Sequence, residues 1–184
     1  MSLDIPSISP QELMDRIGTP HAPMLFDVRR REVFDAADRL IGGANWRHHQ
    51  ETNAWIEEIP PSAEIVVYCV HGHQMSQSPV SRLRAKGVNA RKLVGGIDAY
   101  VEAGGVTILK SEYLPKSYET PSRWITRECP KVDRLAWPWF IKRFVDPRAE
   151  ILYADADWVM GSAVELDAIP FDIPDTDFSH DGEK

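Results

Sequence analysis

Apolar positions along the chain fall into short β-branched runs separated by stretches of helical period. Met24 to Phe26 reads as a buried strand ending at Asp27-Val28-Arg29, Glu64 to Tyr68 as the strongest strand, and Arg91 to Val94 as a further one. Ser9-Pro10-Gln11-Glu12 fits a capping box with proline at the first helical position, so a helix is expected from there towards Ile17, broken by Gly18, Pro20 and Pro23. Glu32 to Ala37 predicts a short helix, Ile41 to Trp46 a turn entering another strand, and Asn53 to Ile59 a helical segment stopped by Pro60-Pro61. A helix over Val80 to Lys86 is expected to open at Pro79 and stop at Gly87; Gly95-Gly96 turns the chain into a last helix, Ile97 to Ala103. Short apolar strands alternating with helices predict an α/β fold, a parallel sheet with helices on both faces. This domain is expected to occupy residues 1–106. Residues 107–121, with Pro115 and Pro121, read as a linker, and residues 122–184 as a smaller α+β or irregular unit.

The chain has 184 residues, enough for one ordinary domain and a smaller companion. Its apolar runs fall short of a membrane span, so no membrane partner is expected. The N-terminus lacks the basic-then-apolar pattern of a secretory signal. Two cysteines sixty residues apart form no disulfide framework, and the expected setting is a reducing, cytoplasmic one. A net charge of -7 argues against non-specific nucleic-acid binding by the whole chain. That charge is uneven: residues 1–121 carry -2, residues 122–148 carry +4 and residues 149–184 carry -9. The middle stretch has a local appetite for anions.

Chemistry concentrates in "IVVYCVHGHQMSQSP", Ile65 to Pro79, where a buried strand delivers Cys69 to a glycine-containing loop before a helix. In parallel sheets, ligands bind beyond the carboxyl ends of the strands. Loop N–H groups and the helix dipole there favour a negatively charged sulfur, the nucleophilic form of a thiol. Val70, His71, Gly72, His73, Gln74 and Met75 are the candidate loop residues, with Gly72 allowing the backbone to curl. The local sequence equally allows Cys69 to be a small buried core residue. Cys69, His71 and His73, with His48 and His49 nearby, are conceivable metal ligands. Alternating loop residues rarely converge on one ion, and a zinc-bound thiolate would be unavailable for chemistry, so neither a metal nor a cofactor is expected. A phosphatase of the Cys-x5-Arg type needs arginine six residues after the cysteine to clamp an oxyanion; that position is Met75.

Several ordered motifs together resemble the rhodanese family of sulfurtransferases over about Ile8 to Gly105. They are "FDVRRREVF", "LIGGANW", "VVYCVHGHQMSQ" and "KLVGGIDAYVEAGG". The resemblance implies that Cys69 accepts a sulfane sulfur, becomes a persulfide and passes the sulfur on. It also implies that Asp27 and Arg29 brace the loop without direct chemistry. Val70 and Gln74 stand where several relatives carry loop cations, and Leu40 where a histidine is frequent. From Ser122 onward, "TRECPKVDRLAWPWFIKRFVDPRAEILY" and "AIPFDIPDTDFSH" resemble the early part of a chromate-resistance protein domain. Arg123, Arg127, Lys131 and Arg134, in a basic cluster that also holds Lys142, Arg143 and Arg148 among Trp124, Trp137 and Trp139, are candidate ligands there for a tetrahedral dianion; the alternative is that the arginines pair with the acidic tail, Asp155 to Glu183. Cys129 reads as a resolving thiol, a redox sensor or a packed residue.

The expected function is persulfide sulfur transfer through Cys69 within a chromate-resistance system. Its partners would be a small sulfur donor, a thiol or cyanide-like acceptor, and an oxyanion. The rival expectation is a non-catalytic oxyanion or redox sensor that uses the same domain for recognition.

Overall fold

The computed structural model describes residues 5–60, 62–110, 120–128, 132–174 and 176–179, with the backbone alone for 132–135. The chain divides into two compact units, Met1–Ser111 and Glu112–Lys184. Among the described residues, no helix is long and apolar enough to cross a membrane.

The first unit runs β1 (Ser7–Ile8), α1 (Pro10–Met14), β2 (Met24–Asp27), α2 (Arg31–Ala36), β3 (Arg39–Ile41), β4 (Ala44–Trp46) and α3 (Thr52–Trp55). It continues through β5 (Glu64–Tyr68), α4 (Gln74–Ala85), β6 (Asn89–Leu93), α5 (Gly96–Glu102) and β7 (Thr107–Leu109). The Ser9 side chain accepts from the Glu12 amide at the start of α1, as the capping motif predicts. The main sheet has the order β1-β6-β5-β2-β4 and all of its pairings are parallel. β5 lies at its centre, which is why its run reads as continuously apolar: Ile65, Val66 and Val67 are fully buried. Each such side chain contributes roughly 1.5–3 kcal/mol. Ile65, Val67 and Cys69 share one face and pack in a core with Val80 and Leu83 of α4.

The expected linker begins too early. Residues 107–109 form β7, antiparallel to β3, and the Lys110 ammonium donates to the Phe34 carbonyl at the end of α2. A three-residue strand with its partner 68 residues away leaves no periodic signal.

The second unit comprises β8 (Arg123–Arg127), α6 (Val132–Phe140), a π-helical turn (Ile141–Val145), β9 (Glu150–Ala154), α7 (Val159–Glu165) and β10 (Ile169–Pro170). Its sheet is parallel with the order β10-β8-β9. One core cluster joins Ile125 to Val159 and Ala163; another joins Trp124 to Ile141, Ala149 and Phe171. Of the two expectations for this tryptophan-rich segment, α+β or irregular, the structure shows the ordered one: a small unit with its own sheet, helices and core.

Candidate active site

Asp27, Trp46 and Tyr68 stand in register at the ends of β2, β4 and β5. The chain therefore leaves three adjacent strands at one edge of the sheet. The Val28 amide donates to the Tyr68 carbonyl at 2.9 Å and the Arg47 amide to the Asp27 carbonyl at 2.8 Å. The next residue after β5 is Cys69.

The loop that follows is shorter than its sequence suggests. α4 starts at Gln74, with the amides of Ser76 and Gln77 donating to the His73 carbonyl at 3.1 and 3.2 Å. Gln74 and Met75 are thus first-turn helical residues, and Pro79 lies inside the helix instead of opening it. Ser76, Pro79, Val80 and Leu83 are all buried, forming one inward stripe at helical spacing. Burial of that stripe offsets the roughly 3 kcal/mol that an interior proline costs.

Val70, His71, Gly72 and His73 form the loop proper, and α5 holds it from the other side. The Cys69 carbonyl accepts from the Ile97 amide at 3.0 Å and the Val70 carbonyl from the Asp98 amide at 3.3 Å. This close approach needs glycine. Gly96 has φ +65°, and a Cβ there would lie 2.2 Å from the Val70 oxygen and 2.3 Å from the Cys69 oxygen. Gly72, at φ +71°, would bring a Cβ within 2.7 Å of the Leu93 oxygen. On the exposed side, His71 Nδ1 meets Asp98 Oδ2 at 3.0 Å.

Cys69 is 5% exposed and sits in the core cluster, with Met75 packed against that cluster. Its thiol donates to Ser76 Oγ at 3.7 Å, and Ser76 Oγ donates in turn to the His73 carbonyl at 3.0 Å. The position six residues beyond the cysteine is thus apolar, with no cation to clamp a phosphoryl group.

Asp27 and Arg29 form a buried pair beside this edge. Arg29 Nη2 donates to Asp27 Oδ2 at 2.6 Å and Nε to Oδ1 and Oδ2 at 3.0 and 2.9 Å. Arg29 also donates to the Arg39 carbonyl at 3.1 Å, and its own carbonyl accepts from Trp46 Nε1 at 2.9 Å. The pair therefore ties β2 to the segments around β3 and β4. Burial pushes the Asp27 carboxyl above its usual range against the pull of Arg29. Tyr68, buried beside Asp27, is raised well above the usual phenol value, first by desolvation and then by the Asp27 charge. Its oxygen accepts from the Ile41 amide at 3.3 Å. Sequence reasoning missed Tyr68 and the role of Gly96, because each acts through a partner distant in sequence, and Ser76, because the proline signal puts the start of α4 beyond it.

Of the expected basic cluster in the second unit, Arg123 and Arg127 lie at opposite ends of β8, four residues and roughly 13 Å apart along the strand. Arg123 is committed to Glu150 at 3.1 Å and the Leu166 carbonyl at 3.3 Å. Its partner lies in β9, not in the acidic tail. Arg127 Nε is buried without a hydrogen bond. Lys131, Cys129 and the Arg134 side chain lie outside the described residues. Among the described residues, no three His, Cys, Asp or Glu side chains converge as metal ligands.

A five-stranded parallel sheet with a cysteine loop at the end of its central strand defines a rhodanese-type fold. A rhodanese-like domain model matches residues 9–103, more than half of the chain, and the protein belongs to that family. The ChrB C-terminal domain model matches residues 124–184, where the sequence resembles chromate-resistance proteins. Solved structures with the same fold include a rhodanese-related protein from Thermoplasma volcanium, 24% identical with a TM-score of 0.50, covering 57% of this chain and 99% of that one. A protein from Lactobacillus plantarum is 18% identical with a TM-score of 0.52, covering 56% and 87% of the two chains. No curated protein matches the chain.

Proposed function

We propose that the chain is a sulfurtransferase that carries a sulfane sulfur as a persulfide on Cys69, in a chromate-resistance setting. The observation that carries this reading is the built loop: Cys69 directly follows the central strand, its carbonyl fixed by α5, with its sulfur beside a buried hydroxyl. The Cys69 thiol gives its proton to solvent base, and the thiolate attacks the outer sulfur of thiosulfate or of a small persulfide. The donor S–S bond breaks with its electron pair leaving as sulfite or thiolate, and a Cys69 persulfide remains. A thiolate or cyanide then attacks the outer sulfur, and the Cys69 thiolate departs. The first-turn amides of Gln74 and Met75 have no acceptor within α4 and serve as donors to the persulfide anion. Val70, His71, Gly72 and His73 shape this cradle, while Asp27 and Arg29 hold its edge.

A second reading, a redox or oxyanion sensor, is favoured by the burial of Cys69 and by the lack of a loop cation at Val70 or Gln74. One experiment decides between the two. The purified chain is treated separately with thiosulfate and with a small-molecule persulfide, and its intact mass is measured before and after cyanide. Transfer requires a gain of one sulfur atom that cyanide removes, lost in Cys69→Ser and kept in Cys129→Ser. An unchanged mass with both donors overturns the enzyme reading in favour of the sensor.

A further inference from the structure

The second unit holds an open cavity of about 530 Å³ lined by Pro138, Trp139, Lys142, Arg143, Ile151 and Tyr153. We propose that this cavity binds a nucleoside monophosphate, the base stacked on Trp139 and Tyr153 and the phosphate held by Lys142 and Arg143.

Local geometry brings these groups together. Ile151 and Tyr153 are alternate residues of β9 and so face the same side. Pro138 and Lys142, like Trp139 and Arg143, are four residues apart on one continuous helical stretch, so each pair shares a face. The cations sit on the π-helical turn Ile141–Val145, a winding that recurs at functional sites. Trp139 is 56% exposed and Tyr153 45% exposed, leaving two aromatic rings open to a planar guest. No acidic side chain lines the cavity, and Lys142 has no acidic partner among the described residues.

Size and charge choose the occupant. The volume lies within the usual range of small-molecule sites, and a lone tetrahedral oxyanion would leave the aromatic walls uncovered. Two neighbouring cations suit a phosphate dianion, and aromatic faces stack on any base. A single phosphate can pair locally with Lys142 and Arg143, whereas the net charge of -9 over residues 149–184 repels an extended polyanion.

The test is calorimetric titration of the full chain with AMP, GMP, CMP and UMP, beside adenosine, ribose 5-phosphate, anthranilate and a single-stranded oligonucleotide. At least one nucleotide should bind more tightly than either adenosine or ribose 5-phosphate. Lys142→Gln should weaken that binding by about 5-fold or more through loss of the charge, and Trp139→Ala by about 5-fold or more through loss of stacking. Both positions are exposed, and an unchanged thermal transition checks that each variant folds. Absence of binding by all four nucleotides at millimolar concentration overturns the proposal, as does binding that both variants leave unchanged. Tighter binding of anthranilate or of the oligonucleotide than of any nucleotide also overturns it.

Discussion

Replacing Gly96 by alanine isolates the clamp between α5 and the Cys69 loop. Gly96 has φ +65°, so any L side chain there adopts the left-handed conformation at roughly 1–2 kcal/mol. The added methyl would also stand 2.2 Å from the Val70 oxygen and 2.3 Å from the Cys69 oxygen. Ordinary carbon–oxygen contacts lie near 3.3 Å, so the loop backbone must retreat by about 1 Å. A displacement of that size costs about 100-fold in a reaction that depends on positioning. Gly104 supplies the control, because its φ is +86° but a Cβ there meets nothing within 4 Å. Gly104→Ala should lose roughly 1–2 kcal/mol in urea unfolding and keep its sulfur transfer. Gly96→Ala should lose at least as much stability and, in addition, about 100-fold in kcat/KM for transfer from thiosulfate to cyanide. The alkylation rate of Cys69, measured in a Cys129→Ser background, should change in Gly96→Ala alone. Equal transfer and equal alkylation in the two alanine variants would refute the clamp.

Asp27→Asn keeps the shape of the buried pair but leaves the Arg29 guanidinium uncompensated, and urea unfolding should show a loss of about 3–5 kcal/mol; a loss below ~1 kcal/mol would show that the pair does not brace the edge. Glu64 accepts from Arg16 and Arg91, which hold its carboxyl at about 2 instead of 4.5. A carboxyl lowered on folding stabilises the folded state fully above about pH 4.5, and this contribution fades as pH falls towards 2. Glu64→Gln should therefore be less stable by about 2–3 kcal/mol at neutral pH, with the difference vanishing near pH 2; a difference independent of pH would contradict the ion-pair account. Gln74→Arg adds a cation at the first turn of α4 and should lower the thiosulfate KM about 5-fold, an effect that added salt reduces. An unchanged KM would mean that backbone amides alone set the affinity for the donor.

The sequence by itself determined the central strand, its terminal cysteine and the α/β class, because each is written locally. The apolar run Ile65 to Tyr68 of β5 suits a strand buried on both faces, as in a covered parallel sheet, and Cys69 follows it directly. Asp27 and Arg29 came from the family resemblance alone, and their buried ion pair became visible only in the folded chain. Helix boundaries were less legible. Pro79 looked like a first-turn proline, yet α4 begins five residues earlier because tertiary burial of Ser76, Pro79, Val80 and Leu83 outweighs the cost of an interior proline. Only the tertiary structure brought Gly96 against the carbonyls of Cys69 and Val70 and set Ser76 beside the sulfur. It also committed Arg123, which composition had counted in one basic cluster, to Glu150 of β9 and to the Leu166 carbonyl. Patterns of neighbouring residues fix which elements form; distances between residues far apart in the chain fix what those elements can do, and those distances arise only when the sheet and helices pack.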